Sequence, residues 1–152
     1  MYKPLSKMLK LLLFLGLFGF SSQAYAVVEL KVAVVHATMA KSPTDAKISK
    51  VMAKSLKTAF GQYGSFKLLS KNAFQLAPQK TADVALPTGY KALVKYVGSV
   101  PKAGKNRVHK LSLEIPKHKV KVKLRAVPKK LFYQAGIRHK DGILILAFYL
   151  KE

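Results

Sequence analysis

The chain contains no cysteine, and only six of its 152 residues are acidic. Without cysteine there are no disulfide staples, no thiol nucleophile and no cysteine-ligated zinc or iron–sulfur centre. A lipid anchor on a cysteine is excluded for the same reason. The acids are Glu29, Asp45, Asp83, Glu114, Asp141 and Glu152. Asp45 reads as a helix-start residue, Asp141 as a turn residue and Glu152 as the chain end. Glu29, Asp83 and Glu114 fall on three different expected elements, which suits surface partners for neighbouring lysines better than general acids or bases. The four histidines, His36, His109, His118 and His139, show no His-x-x-x-His or other familiar ligand spacing. No nucleophile elbow, phosphate-cradling glycine loop or dinucleotide fingerprint occurs. No catalytic residue, metal ligand or cofactor site is therefore assigned, and the expectation is a protein that is not an enzyme.

Long apolar runs are scarce as well. Leu11–Phe20 has ten apolar residues, half of the roughly 20 that a bilayer span needs. Lys3, Lys7 and Lys10 precede it, and a small polar stretch closing in Ala24-Tyr25-Ala26 follows. A basic start, a short apolar middle and an Ala-x-Ala exit make a secretory signal peptide over residues 1–26, cut after Ala26. The expectation is export to the periplasm, cell surface or extracellular space, as one domain over residues 27–152. The other strong apolar run, Ile143–Leu150, is eight residues long and reads as a buried strand.

Basic residues are abundant. Lysine and arginine total 28, for a formal net charge of +22. Removal of residues 1–26 takes three lysines and leaves +19. Half of all residues are hydrophobic, and their periodicity indicates folding in spite of self-repulsion, which an anionic partner or salt would relieve.

Val27–Thr38 is β-branched and reads as a first strand buried on much of both faces. Ser42, Pro43 and Asp45 look like a helix start with a capping-box spacing. The helix is expected from Pro43 to Phe60, with Ile48, Val51, Met52, Leu56, Ala59 and Phe60 on its apolar stripe. Lys47, Lys50, Lys54 and Lys57 fall on the opposite side. Gly61 and Gly64 end it. Strands are then expected at Phe66–Leu76, Ala82–Leu86, Tyr90–Val97, Val108–Ile115, His118–Val127, Leu131–Gln134 and Ile143–Leu150. Prolines mark their ends. Lys140-Asp141-Gly142 is a turn signal. Ser99–Arg107 is expected to be an irregular, mobile loop. The pattern predicts an α+β domain, one amphipathic helix packed on a mainly antiparallel sheet or small sandwich of seven or eight strands.

The strand His118–Val127 carries the clearest signal. Val120, Val122, Leu124 and Ala126 alternate with Lys119, Lys121, Lys123 and Arg125, so one face enters the core and the other presents four cations. With Lys117, Lys129 and Lys130, the stretch Lys117–Lys130 holds seven cations and no acid. It is either a solubilising, edge-guarding lysine face or a docking face for an anionic partner, with Lys47, Lys50, Lys54 and Lys57 as a second basic element. Beyond Ala26 there are 22 lysines against three arginines. Lysine is a point charge without the arginine fork, which favours nonspecific attraction over sequence reading. Tyr90, Tyr96, Phe132 and Tyr133 could stack bases, but their spacing suits core positions equally. Anionic lipid headgroups, acidic polysaccharide or an acidic protein are the expected partners, and nucleic acid is disfavoured outside the cytoplasm. A structural subunit of an envelope assembly is the alternative, and it implies contacts that survive high salt. If Ile115 pairs with His118 in a hairpin, His109 faces Leu124 and the two rings do not meet.

The order of these features resembles small, uncharacterised exported bacterial proteins. The residues that carry the resemblance are the His-Ala-Thr edge within Val34–Met39, the return strand Gly64-Ser65-Phe66-Lys67-Leu68-Leu69, and the Asp-Gly turn with its aliphatic strand, Asp141–Leu146. The resemblance implies a fold pattern and export. It brings no activity and no catalytic residues.

Overall fold

A computed structural model describes residues 26–101, 103–104 and 107–152. Apart from Ala26, the expected export segment lies outside the described residues, as do Lys102, Lys105 and Asn106. Among the described residues eight strands and one α-helix form, in the order β1 (Val28–Thr38), α1 (Lys50–Ala59), β2 (Ser65–Leu76), β3 (Thr81–Ala85), β4 (Lys91–Val100), β5 (Val108–Ile115), β6 (Val120–Ala126), β7 (Leu131–His139) and β8 (Gly142–Lys151). They make two antiparallel four-stranded sheets, sheet A in the order β2-β1-β8-β7 and sheet B in the order β3-β4-β5-β6. The α+β expectation and the eight strands are met, and Val108–Ile115 has the expected bounds. Ser99 and Val100, expected in the loop, extend β4. No described helix is long and apolar enough to cross a membrane.

β1 lies inside sheet A, between β2 and β8. Val28, Leu30, Val32 and Val34 enter a hydrophobic cluster to which both sheets contribute, together with Leu146 and Phe148 of β8, Val94 and Tyr96 of β4 and Leu111 and Leu113 of β5. On the opposite face of β1, Val35 and Ala37 join a second cluster with Ile145, Phe66, Ile48 and Leu56 of the helix. The helix therefore covers the face of sheet A that points away from the shared cluster. Burial of Leu56, which is fully enclosed, stabilises this contact by roughly 1.5–3 kcal/mol.

The helix begins later than its sequence suggests. Its N-cap is Ser49, whose hydroxyl accepts from the Met52 N–H at 3.2 Å. The expected cap, Ser42, instead donates its hydroxyl to Ser65 at 2.7 Å. Asp45 is occupied with the open edge of β2. Its N–H donates to the Phe66 carbonyl at 3.0 Å, and its carboxylate accepts from the N–H groups of Leu68 and Lys47 at 3.1 and 3.0 Å. An unpaired strand edge is a row of unsatisfied donors and acceptors, and satisfying it outweighs an additional helical turn. The stripe is also narrower than expected: Val51 is 74% exposed and Ala59 faces solvent.

The β5–β6 hairpin is longer than the sequence reading. Pro116–His118 form a 3₁₀ turn and Lys119 takes a left-handed conformation with φ of 52°. Ile115 then pairs with Val120 rather than His118, and His109 faces Ala126 rather than Leu124. The shift is two residues, an even number, so inward and outward faces are preserved. Lys119 leaves the strand, and three cations of β6, not four, alternate on it. At the β7–β8 turn Lys140 is left-handed and Gly142 backs onto the Ala37 carbonyl, which leaves no room for a Cβ.

Two outcomes follow. Gly142→Ala should lower stability by about 1–3 kcal/mol, read from urea unfolding; an unchanged midpoint would contradict the close approach. The Lys47 N–H bond, more than any other influence, holds the Asp45 carboxyl below its ordinary pKa of 3.8. Its contribution is then complete above that value and fades as pH falls through the lower folded value. Asp45→Asn should lower the urea midpoint at neutral pH, and the gap from the parent protein should narrow below pH 3.8.

Candidate functional site

The face of sheet B turned away from the shared cluster is built by simple alternation. On β5, His109, Leu111, Leu113 and Ile115 are buried, whereas Lys110, Ser112 and Glu114 point outward. On β6, Lys121, Lys123 and Arg125 are exposed between half-buried Val120, Val122 and Leu124. Register fixes the cross-strand neighbours. Lys95 of β4 faces Ser112, which faces Lys123, and Lys110 faces Arg125. These residues line a groove of about 590 Å³, with Gln79 and Val97 at one side and no acid in its lining.

The charges on this face are segregated. Asp83 pairs with Lys91 at 3.3 Å, and Glu114 lies opposite Lys121, both toward the Ala85–Lys91 end. Lys95, Lys110, Lys123 and Arg125 occupy the other end. Directly opposed side chains on antiparallel strands have Cβ atoms about 5 Å apart. At that separation two unit charges repel by about 0.8 kcal/mol in bulk water. Lys110 and Arg125 are such a pair, and an anion between them would turn the repulsion into attraction.

The basic stretch Lys117–Lys130 does not form one surface. Lys117 sits 5.1 Å from the centroid of the Tyr90 ring, a cation–π contact at the β5–β6 hairpin. Lys119 occupies the turn beside it. Only Lys121, Lys123 and Arg125 lie on the face of sheet B. Lys129 and Lys130 lie in the β6–β7 connection, where the Lys129 N–H donates to Leu150 of sheet A at 2.8 Å. Lys50, Lys54 and Lys57 line the exposed side of the helix over sheet A, and Lys47 lies in the preceding loop. Lys95 and Lys110 complete the groove and were not singled out in the sequence. Their signal was present in the alternation of β4 and β5, but the strands that bring them beside β6 are joined only by register.

No family model, curated protein or solved structure matches the chain.

The acids and histidines meet in unexpected combinations. Glu29 pairs with Lys31 at 3.3 Å, as expected of a surface acid. The histidine partners are the two acids assigned to a turn and to the chain end. Asp141 approaches His36 at 3.6 Å, and Glu152 approaches His109 at 2.8 Å. His36 also bonds the His139 carbonyl at 3.1 Å, and their rings meet edge to face. Burial, then the neighbouring His36 and Lys140, lowers the His139 pKa, against an opposing pull from Asp141. His109 is 2% exposed, with Nδ1 3.0 Å from the Tyr96 hydroxyl and Nε2 bonded to Glu152. Both ring nitrogens thus have a polar partner, a hydroxyl at Nδ1 and a carboxylate at Nε2. Burial raises the Tyr96 pKa, so its proton stays in place. This chain of bonds ties the end of β8 in sheet A to β4 and β5 in sheet B. Among the described residues no three histidine or acidic groups converge as a metal-ligand set.

Of the four candidate stacking aromatics, three are engaged internally. Tyr96 holds His109, Phe132 stacks on Phe148 at 5.1 Å, and Tyr133 donates to Ser55 at 2.7 Å. Tyr90 is exposed beneath Lys117.

Tyr96→Phe removes the hydrogen-bond partner of a buried ring nitrogen. It should cost about 1–3 kcal/mol, measured by urea unfolding at neutral pH, and an unaffected midpoint would show that the Tyr96–His109 bond contributes nothing.

Proposed function

We propose that this is an exported, non-enzymatic envelope protein that docks an acidic polysaccharide in the groove on sheet B. The observation that carries the reading is the set of four cations, Lys95, Lys110, Lys123 and Arg125, brought from three adjacent strands into a concavity free of acids. A groove that crosses strands suits a linear polyanion, and a flat bilayer surface cannot enter it. Ser112 and Gln79 add a hydroxyl and an amide for sugar hydroxyls. Three lysines and one arginine supply attraction with little base-reading geometry. Export through residues 1–26, kinship with small exported bacterial proteins and closure of the two sheets as a small sandwich over one cluster belong to the same proposal.

The test is titration of the purified protein with polygalacturonate. Affinity should fall steeply as salt rises from about 0.01 M to 0.1 M, where the screening length shrinks from about 30 to 10 Å. Joint replacement of Lys110, Lys123 and Arg125 by glutamine should weaken binding by about tenfold or more, or 1.4 kcal/mol. The matching triple replacement of Lys50, Lys54 and Lys57 should leave it within about twofold of the parent. Absence of binding at low salt, or equal loss in the two triple variants, would overturn the reading.

A further inference from the structure

A second concavity lies on the opposite side of sheet A from the shared cluster, and its chemistry differs from that of the groove on sheet B. The ten-residue helix is only about 15 Å long, whereas β1 and β8 extend for 11 and 10 residues, or about 33 Å. The helix covers the half of the face that carries Val35, Ala37 and Ile145. Beyond its first turn the face is open, and a trough of about 270 Å³ remains between helix and sheet. Ala33 and Ala147 oppose each other there. Met52 and Val51 stand on the helix side, and Leu131 and Tyr149 on the sheet side.

The trough is apolar inside and cationic at its rim. Lys71 of β2, Lys31 of β1 and Lys129 of the β6–β7 connection line it. Lys31 is paired with Glu29 at 3.3 Å. Lys71 and Lys129 have no acidic partner among the described residues. The Ser49 hydroxyl is taken by the Met52 N–H, so the lysines and not the helix end provide the charge complement. Val51, 74% exposed, stands at the mouth. It interrupts the polar side of the helix without entering the core, and an apolar occupant of the trough would bury it.

We propose that this trough binds a free single-chain alkyl carboxylate of medium length. From β2 to β7 there are three interstrand steps, about 14 Å, which suits an extended medium-length chain lying across the alanine floor. Each buried methylene tightens the complex by about fourfold, and the carboxylate meets Lys71 or Lys129 at either end. At either end the head meets one unpaired lysine, which neutralises a carboxylate and leaves half the charge of a phosphate dianion without a partner.

The test is calorimetric titration of the full chain with decanoate, with decanol and decyl phosphate as comparison probes. Decanoate should bind saturably at one site, more tightly than either probe. Val51→Glu, at an exposed position, should weaken decanoate by about tenfold or more. Lys71→Gln with Lys129→Gln should weaken it similarly and erase its advantage over decanol. The triple variant of Lys110, Lys123 and Arg125 should bind decanoate like the parent protein, which separates this site from the polysaccharide groove. Circular dichroism verifies that each variant is folded. Undiminished binding to Val51→Glu, an unchanged decanoate-to-decanol ratio in the double lysine variant, or tighter binding of decyl phosphate would overturn the proposal.

Discussion

Burial of β1 on both faces is the constraint on which the rest of the structure depends. One face supplies Val28, Leu30, Val32 and Val34 to the cluster shared by both sheets, and the other supplies Val35 and Ala37 to the cluster beneath the helix. A strand buried on much of both faces is poorly suited to a solvated edge, and β2 and β8 flank it. The helix then has a single apolar surface on which to rest. The chain has no cysteine, so this double burial holds the layers without covalent staples.

The large positive charge is tolerated because it never enters these clusters. Lysines alternate out of β4, β5 and β6, line the exposed side of the helix and occupy hairpin turns. Lys119, Lys129 and Lys140 adopt left-handed backbone conformations at three such turns. Dispersal over several elements keeps most pairs apart and leaves two places where cations converge, the groove on sheet B and the rim of the trough on sheet A. They differ in what accompanies the charge. A hydroxyl and an amide line the first, whereas alanine, valine, methionine and leucine line the second. The two proposed ligands, a polar polymer and an amphipathic small molecule, follow from this difference in lining.

The polar interior is economical. His109 is the buried polar residue of the described chain, and both of its ring nitrogens have partners. It connects the two sheets at a point where hydrophobic contact alone would permit sliding, since apolar packing is nondirectional. Hydrogen bonds to a fixed ring are directional and select one alignment.

Much of this architecture was legible in the sequence. The eight strands, the first strand buried on much of both faces, the Lys140–Gly142 turn and the alternating face of β6 all follow from local periodicity and turn chemistry, which tertiary contacts did not override. Local pattern failed where distant backbone competed with it. Asp45 and Ser42 look like a helix start, yet β2 claims both, because an open strand edge offers Asp45 two hydrogen bonds and Ser42 a third, through Ser65. Val51 fits the apolar stripe by spacing, but the sheet opposite it carries small alanines that leave an open trough and do not reach it. The basic run Lys117–Lys130 is continuous in sequence and divided in space, because a hairpin and a sheet-to-sheet connection turn its ends away. Sequence alone determined the sign of the surface, the elements and their inward faces, since these depend on residue type and period. Tertiary structure decided which cations meet, which acids find the histidines and where a trough stays open, because register and layer order join residues far apart in the chain.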